Sequence, residues 1–124
     1  MEKTILIVDD SRTMRDMLRR TLEGAAYLVV DAVDGQDGLE KLEAMNPAPD
    51  AIITDINMPR MDGYGFIEGA RGKDRGRHIP VLVLTTETSA EKKTRAKNAG
   101  ATGWIVKPFE ASVLLSALKR VIGS

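Results

Sequence analysis

A chain of 124 residues holds one domain with a core of its own, and its 18 basic side chains balance 18 acidic ones, so no net charge draws it to nucleic acid or to an anionic membrane. Without cysteine it forms neither disulfides nor thiolate metal sites, and the single histidine, His78, excludes a His-cluster metal. A metal here is held by oxygen.

The first apolar run, residues 5–8, stops at Asp9-Asp10 and is too short for a signal peptide or a membrane span, so a cytoplasmic protein is expected. It has the length and β-branching of a strand. Met14, Met17, Leu18 and Leu22 then recur at helical spacing and predict a helix over 11–24, capped by Ser11 or Asp10. A second strand at 28–30 precedes a helix over 35–46 carrying Leu39, Leu42 and Met45. The third strand, 51–53, runs into Asp55, Asn57, Pro59 and Gly63 before a helix over 62–72, whose propensity Gly63, Gly65 and Gly69 lower. RGKDRGRH (71–78) reads as a solvated connection loosened by glycine. A fourth strand at 81–84 gives way to Thr85-Thr86 and to a helix over 89–99, opened by the capping-box pattern Thr88-Ser89-Ala90-Glu91 and closed at Gly100. The fifth strand, 104–106, meets Lys107-Pro108, and Leu114, Leu118, Val121 and Ile122 mark a last helix over 110–122.

Apolar strands alternating with helices predict an α/β domain, a five-stranded parallel sheet with helices on both faces and right-handed crossovers. In such sheets ligands sit beyond the carboxyl ends of the strands. The residues there are Asp9-Asp10, Asp55, Thr85-Thr86 and Lys107-Pro108. Singly each has a plain explanation: a helix cap, a turn aspartate, a β-branched strand residue, a lysine at an extended X-Pro step. Independent caps and turns do not require all of them to fall at carboxyl ends of separate strands. Converging carboxylates repel, by about 3 kcal/mol for a pair 5 Å apart at an effective dielectric of 20. Mg²⁺ bound by carboxylates and a carbonyl offsets that repulsion. Together with an ammonium (Lys107) and a hydroxyl (Thr85) it suits phosphoryl transfer, with Asp55 as nucleophile.

The stretches ILIVDDS (5–11), DINMPRMDG (55–63), VLVLTTE (81–87) and GATGWIVKPF (100–109) resemble the receiver domain of two-component response regulators, and more narrowly the stand-alone chemotaxis regulators of the CheY type. The resemblance covers essentially the whole chain. It implies the strand order 2-1-3-4-5, which comes from the family and not from the strand pattern. It implies Asp55 as phosphoacceptor, Asp10 as a direct Mg²⁺ ligand, Asp9 acting through water, and the Asn57 carbonyl as a further ligand. Lys107 pairs with the phosphoryl group, Thr85 is the switch hydroxyl, and Pro108 follows a cis bond. Asn57 and Glu87 resemble the side chains that tune hydrolysis of the acyl phosphate. Trp104 stands where the family commonly has a rotating Tyr or Phe, and Thr86 where a small residue, often Ala, is common.

The resemblance further implies a histidine kinase as phosphodonor, with no enzymatic activity beyond the domain's own phosphorylation and dephosphorylation. The sequence ends soon after the last helix, so a single receiver domain over 1–124, without effector domain and acting as a monomer, is expected. Output then runs through a docking face including Ala90, Lys93, Lys97, Trp104 and Val106, with the flagellar motor switch as a possible target and chemotaxis as the setting. A phosphate sink for a chemotaxis kinase, or a receiver in another pathway, are the alternatives within this class. A haloacid-dehalogenase-type phosphatase needs Asp where Asn57 stands. A flavodoxin-like cofactor binder needs a phosphate-cradling loop where Asp9-Asp10 stand.

Overall fold

The computed structural model describes residues 2–123. Strands and helices alternate throughout: β1 (Thr4–Val8), α1 (Arg12–Gly24), β2 (Leu28–Ala32), α2 (Gly35–Ala44), β3 (Ala51–Thr54), α3 (Gly63–Arg71), β4 (Val81–Thr85), α4 (Ala90–Ala99), β5 (Gly103–Val106) and α5 (Ala111–Ile122). All pairings are parallel and the order is β2-β1-β3-β4-β5, the predicted one.

β1, β3 and β4 are the central strands, and their apolar residues are buried on both faces. Alternation along each strand divides them between two cores. Leu6, Val8, Ile52, Val81 and Val83 meet Phe66, Ile67 and Ala70 of α3 and Leu42 of α2. Ile5, Ile7, Ile53, Leu82 and Leu84 meet Leu18 and Leu22 of α1 and Leu114 and Leu118 of α5. The edge strands β2 and β5 keep Leu28 and Val106 exposed, because each lacks a neighbour on one side. No helix among the described residues is long and apolar enough to cross a membrane.

Ser11, Asp34, Asp62 and Ser89 cap α1 to α4 by accepting a backbone N–H in the first turn. The cap of α4 corrects the capping-box expectation: Ser89 accepts from Lys92, one residue closer to the helix than Thr88. Gly100 closes α4 at φ +116, a left-handed conformation that glycine adopts without strain.

The 71–78 stretch also departs from expectation. It is anchored, not freely solvated: Arg71 donates to the carbonyls of Gly76 (2.6 Å), Ile79 (2.7 Å) and Gly100 (3.1 and 2.7 Å), while Arg75 donates to the carbonyls of Glu43 and Met45. The connection leaves carbonyls without ladder partners, and a forked guanidinium reaches several at once. Burial holds the Arg71 guanidinium below its ordinary value.

Gly63, the first residue of α3, is explained by close approach. A Cβ on Gly63 would lie 2.2 Å from the Asp55 carbonyl oxygen and 2.8 Å from the Ile56 Cα. Both are backbone atoms that cannot swing away. Gly63→Ala is therefore expected to cost about 2 kcal/mol or more, read from urea unfolding. A loss under about 0.5 kcal/mol would show that the loop after β3 yields easily.

Candidate functional site

The carboxyl ends of β1, β3 and β5 bring the acids and the lysine together. Asp9 directly follows β1 and is 2% exposed. One of its oxygens accepts from the Ser11 amide (2.9 Å) and the other from Lys107 Nζ (2.8 Å). Asp10, next in the chain, is exposed. Asp55 enters the site as the β1–β3 ladder ends, its amide donating to the Val8 carbonyl at 3.0 Å. Its carboxylate accepts from the Ile56 amide at 2.6 Å and from Lys107 Nζ at 3.0 Å. Lys107 thus bridges Asp9 and Asp55, and its own side chain is only 11% exposed.

Oxygens of Asp9, Asp10 and Asp55 all lie within 4.8 Å of one another. Three carboxylates face one ammonium, which leaves the cluster negative. Burial pushes the Asp9 carboxyl above its ordinary range, despite the hydrogen bonds from Lys107 and Ser11. Burial would lower Lys107, but its bonds to Asp9 and Asp55 outweigh that and hold the ammonium above its ordinary value. The donors are all oxygen, partly buried and in charge excess, which fits a hard divalent cation such as Mg²⁺ and no softer metal.

A second group covers the outer side. The exposed Asn57 donates from its amide nitrogen to Glu87 Oε1 (3.3 Å), and Lys92 donates to Glu87 Oε2 (2.8 Å). The Lys92 and Asn57 hydrogen bonds hold Glu87 below the usual carboxylate range. Asn57 and Glu87, the two side chains that the resemblance gives as tuning hydrolysis, are in contact although thirty residues apart in sequence.

Thr85 ends β4 fully buried, its hydroxyl accepting a long hydrogen bond from the Glu87 amide (3.4 Å). The Trp104 indole N–H donates to the carbonyl of the same residue at 3.2 Å, so the ring is half-buried with its polar atom satisfied. The Lys107-Pro108 bond is cis, as expected, and Thr86 is exposed. Ala90, Lys93, Lys97 and Val106 are also exposed, on the side where a groove of about 320 Å³ runs between α4 and β5. Lys93, Ala96, Lys97, Thr102, Gly103 and Trp104 line it. Tyr64 of α3 backs α4, with the Arg95 guanidinium 3.9 Å over its ring.

Two arginines of the site were missed by sequence reading. Arg15 Nη1 donates to the Asp9 carbonyl (2.8 Å) while its Nε pairs with Asp31 (3.1 Å), steadying the acidic turn. Arg60 grips Asp34 across 26 positions, a pairing that neither residue's neighbours signal.

The family model of the response regulator receiver domain matches residues 5–119. The chain is 39% identical over 121 residues to the chemotaxis protein CheY1 of Helicobacter pylori, covering 97% of each. It also matches the sensor histidine kinase CheAY of the same species at 34% identity, but spans only 15% of that protein's length. Among solved structures, the chemotaxis protein CheY4 of Vibrio cholerae is 45% identical over 98% of this chain and 99% of its own, with a TM-score of 0.92. The receiver domain of the sensor histidine kinase PA1611 of Pseudomonas aeruginosa is 28% identical with full coverage of both chains and a TM-score of 0.91, and that structure has a magnesium ion coordinated in its active-site cleft. A match over nearly the whole length, on a fold and acidic cleft of this geometry, means that the chain belongs to the receiver domains of two-component response regulators.

Proposed function

We propose that this chain is a chemotaxis response regulator that takes a phosphoryl group on Asp55 from a histidine kinase, with Mg²⁺, and thereby alters a protein-docking face. The observation that carries the reading is the bridge of Lys107 to both Asp9 and Asp55 inside a cluster of converging carboxylates. Chemotaxis is supported by the names of the relatives matched over their full length.

Asp10, Asp55 and the Asn57 carbonyl would hold the metal, with Asp9 acting through water. When bound, Mg²⁺ supplies positive charge against the phosphoryl oxygens. A carboxylate oxygen of Asp55 attacks phosphorus as the bond to the donor imidazole breaks, and the imidazole leaves with its electron pair. Lys107, held between two acids, is preset to move its charge onto the new phosphoryl group at little cost in reorganisation. Asn57 and Glu87 then govern how water reaches the acyl phosphate.

Thr85, Glu87 and Trp104 are chained: the Glu87 peptide donates to Thr85 and accepts from Trp104. A Thr85 hydroxyl drawn towards a phosphoryl oxygen gives up that bond and shifts the segment that holds the indole. This biases the α4–β5 groove, whose Lys93 and Lys97 suit an acidic partner such as a motor-switch segment. Ala90 and Val106 extend the same docking face.

The test is to incubate the protein with acetyl phosphate and follow intact mass. A gain of one phosphoryl group is expected with Mg²⁺ and none with excess EDTA. No gain under either condition, with Mg²⁺ binding verified, would overturn the reading.

A further inference from the structure

We infer that Arg60 is a positioning residue for the metal-binding loop, acting through Asp34. The inference rests on the proposed function, since it takes the Asn57 carbonyl as a metal ligand. A backbone carbonyl has no rotamer of its own; where it points is set by the loop that carries it. That loop, between β3 and α3, is closed at its base where the Gly63 amide donates to the Ile56 carbonyl at 2.8 Å. Its outer limb turns at Arg60, which sits at φ +63, a left-handed conformation that asparagine or glycine would adopt more readily than arginine.

What holds arginine there is on the far side of the loop. Arg60 Nε and Nη2 donate to the two oxygens of Asp34, at 2.7 and 3.0 Å, as a fork that fixes orientation as well as distance. Asp34 is itself buried and tethered: its side chain is 6% exposed, and one oxygen also caps α2 through the Asp37 amide at 2.8 Å. Beside it the Gly35 amide donates to the Met61 carbonyl at 3.0 Å, so two adjacent residues of the loop are strapped to the first turn of α2. Asn57 lies between the closed base and this strap. Among the described residues its side-chain tether is to Glu87, across the site, and that bond does not fix the direction of the carbonyl. Strain retained at a residue that makes a two-pronged contact with a buried carboxylate points to a function for the contact.

The experiment compares wild type, Arg60→Asn and Arg60→Lys by calorimetric titration with Mg²⁺, by the Mg²⁺ dependence of acetyl phosphate labelling, and by melting without metal. Asn tolerates the left-handed backbone but drops the fork; Lys keeps the charge and loses the second prong. Arg60→Asn is expected to weaken Mg²⁺ binding about tenfold, as loss of groups that orient ligands does. Arg60→Lys falls in between. Labelling should slow at low Mg²⁺ and recover when the metal saturates. Arg77→Asn, which breaks an exposed pair with Asp74, should leave Mg²⁺ affinity unchanged. Equal Mg²⁺ affinities for wild type and Arg60→Asn overturn the inference, whatever happens to melting. If Arg60→Asn fails to fold, wild-type affinity in Arg60→Lys does the same. A wild type that neither binds Mg²⁺ nor takes the phosphoryl group fails earlier, at the functional reading itself.

Discussion

Asp55→Asn is expected to abolish the mass gain from acetyl phosphate, with labelling below about one hundredth of wild type, while the fold stays intact. The carboxamide is nearly isosteric with the acid but carries no anionic oxygen to attack phosphorus. The variant keeps the Asp9–Lys107 pair (2.8 Å) and removes one of three mutually repelling carboxylates. Its stability without metal should therefore stay within about 1 kcal/mol of wild type, the Coulomb gain and the lost Lys107 contact nearly cancelling. Wild-type labelling should also change the fluorescence of Trp104, because the ring shares the Glu87 peptide with Thr85. A mass gain that survives in Asp55→Asn would move the acceptor to another carboxylate. Labelling with unchanged fluorescence would keep the chemistry and remove Trp104 from the switch.

Lys107→Ala is expected to be the most destabilising change at the site, by about 3 kcal/mol near neutral pH. It leaves Asp9, at 3% side-chain exposure, and Asp55, at 13%, facing each other without a countercharge. Burial already raises the Asp9 carboxyl, and loss of the ammonium raises it further. The sign of the pH effect follows. A carboxyl raised on folding binds more protons folded than unfolded between the two values, so stability increases as pH falls through that window. The deficit of Lys107→Ala against wild type should thus shrink as the pH falls below neutral, and Mg²⁺ should recover part of it at neutral pH. Labelling should fall as well, by roughly a hundredfold, since the group that meets the phosphoryl charge is gone. Denaturant unfolding at several pH values, with and without Mg²⁺, gives the first result and intact mass the second. A variant as stable as wild type at every pH would show that water screens the carboxylates and that the cluster has no charge excess to relieve.

The sheet and its helices were legible because each element carries a local signal: the runs at β1, β3 and β4 are apolar throughout, and α1 and α5 repeat leucines at helical spacing. The edge strands were read short, β2 extending to Ala32, since an edge needs fewer apolar residues and its polar Asp31 breaks the run. Asp9, Asp55, Thr85 and Lys107 were readable as a set because a parallel sheet delivers every strand's carboxyl end to the same side, so position along each strand already implies proximity.

By itself, then, the sequence determined which residues form strands and helices and which polar groups end up at one edge, since both depend on local pattern and on a single topological rule. Only the tertiary structure decided who pairs with whom. Lys107 chose Asp9 as well as Asp55, Trp104 found the Glu87 carbonyl, Arg71 gathered the carbonyls of Gly76, Ile79 and Gly100, and Arg60 reached Asp34. Apart from Arg71 to Gly76 and Ile79, these contacts join residues far apart in sequence, each made by a side-chain donor. Its partner is fixed by which acceptor is left unsatisfied nearby after the backbone has packed, and no periodicity in the chain encodes that.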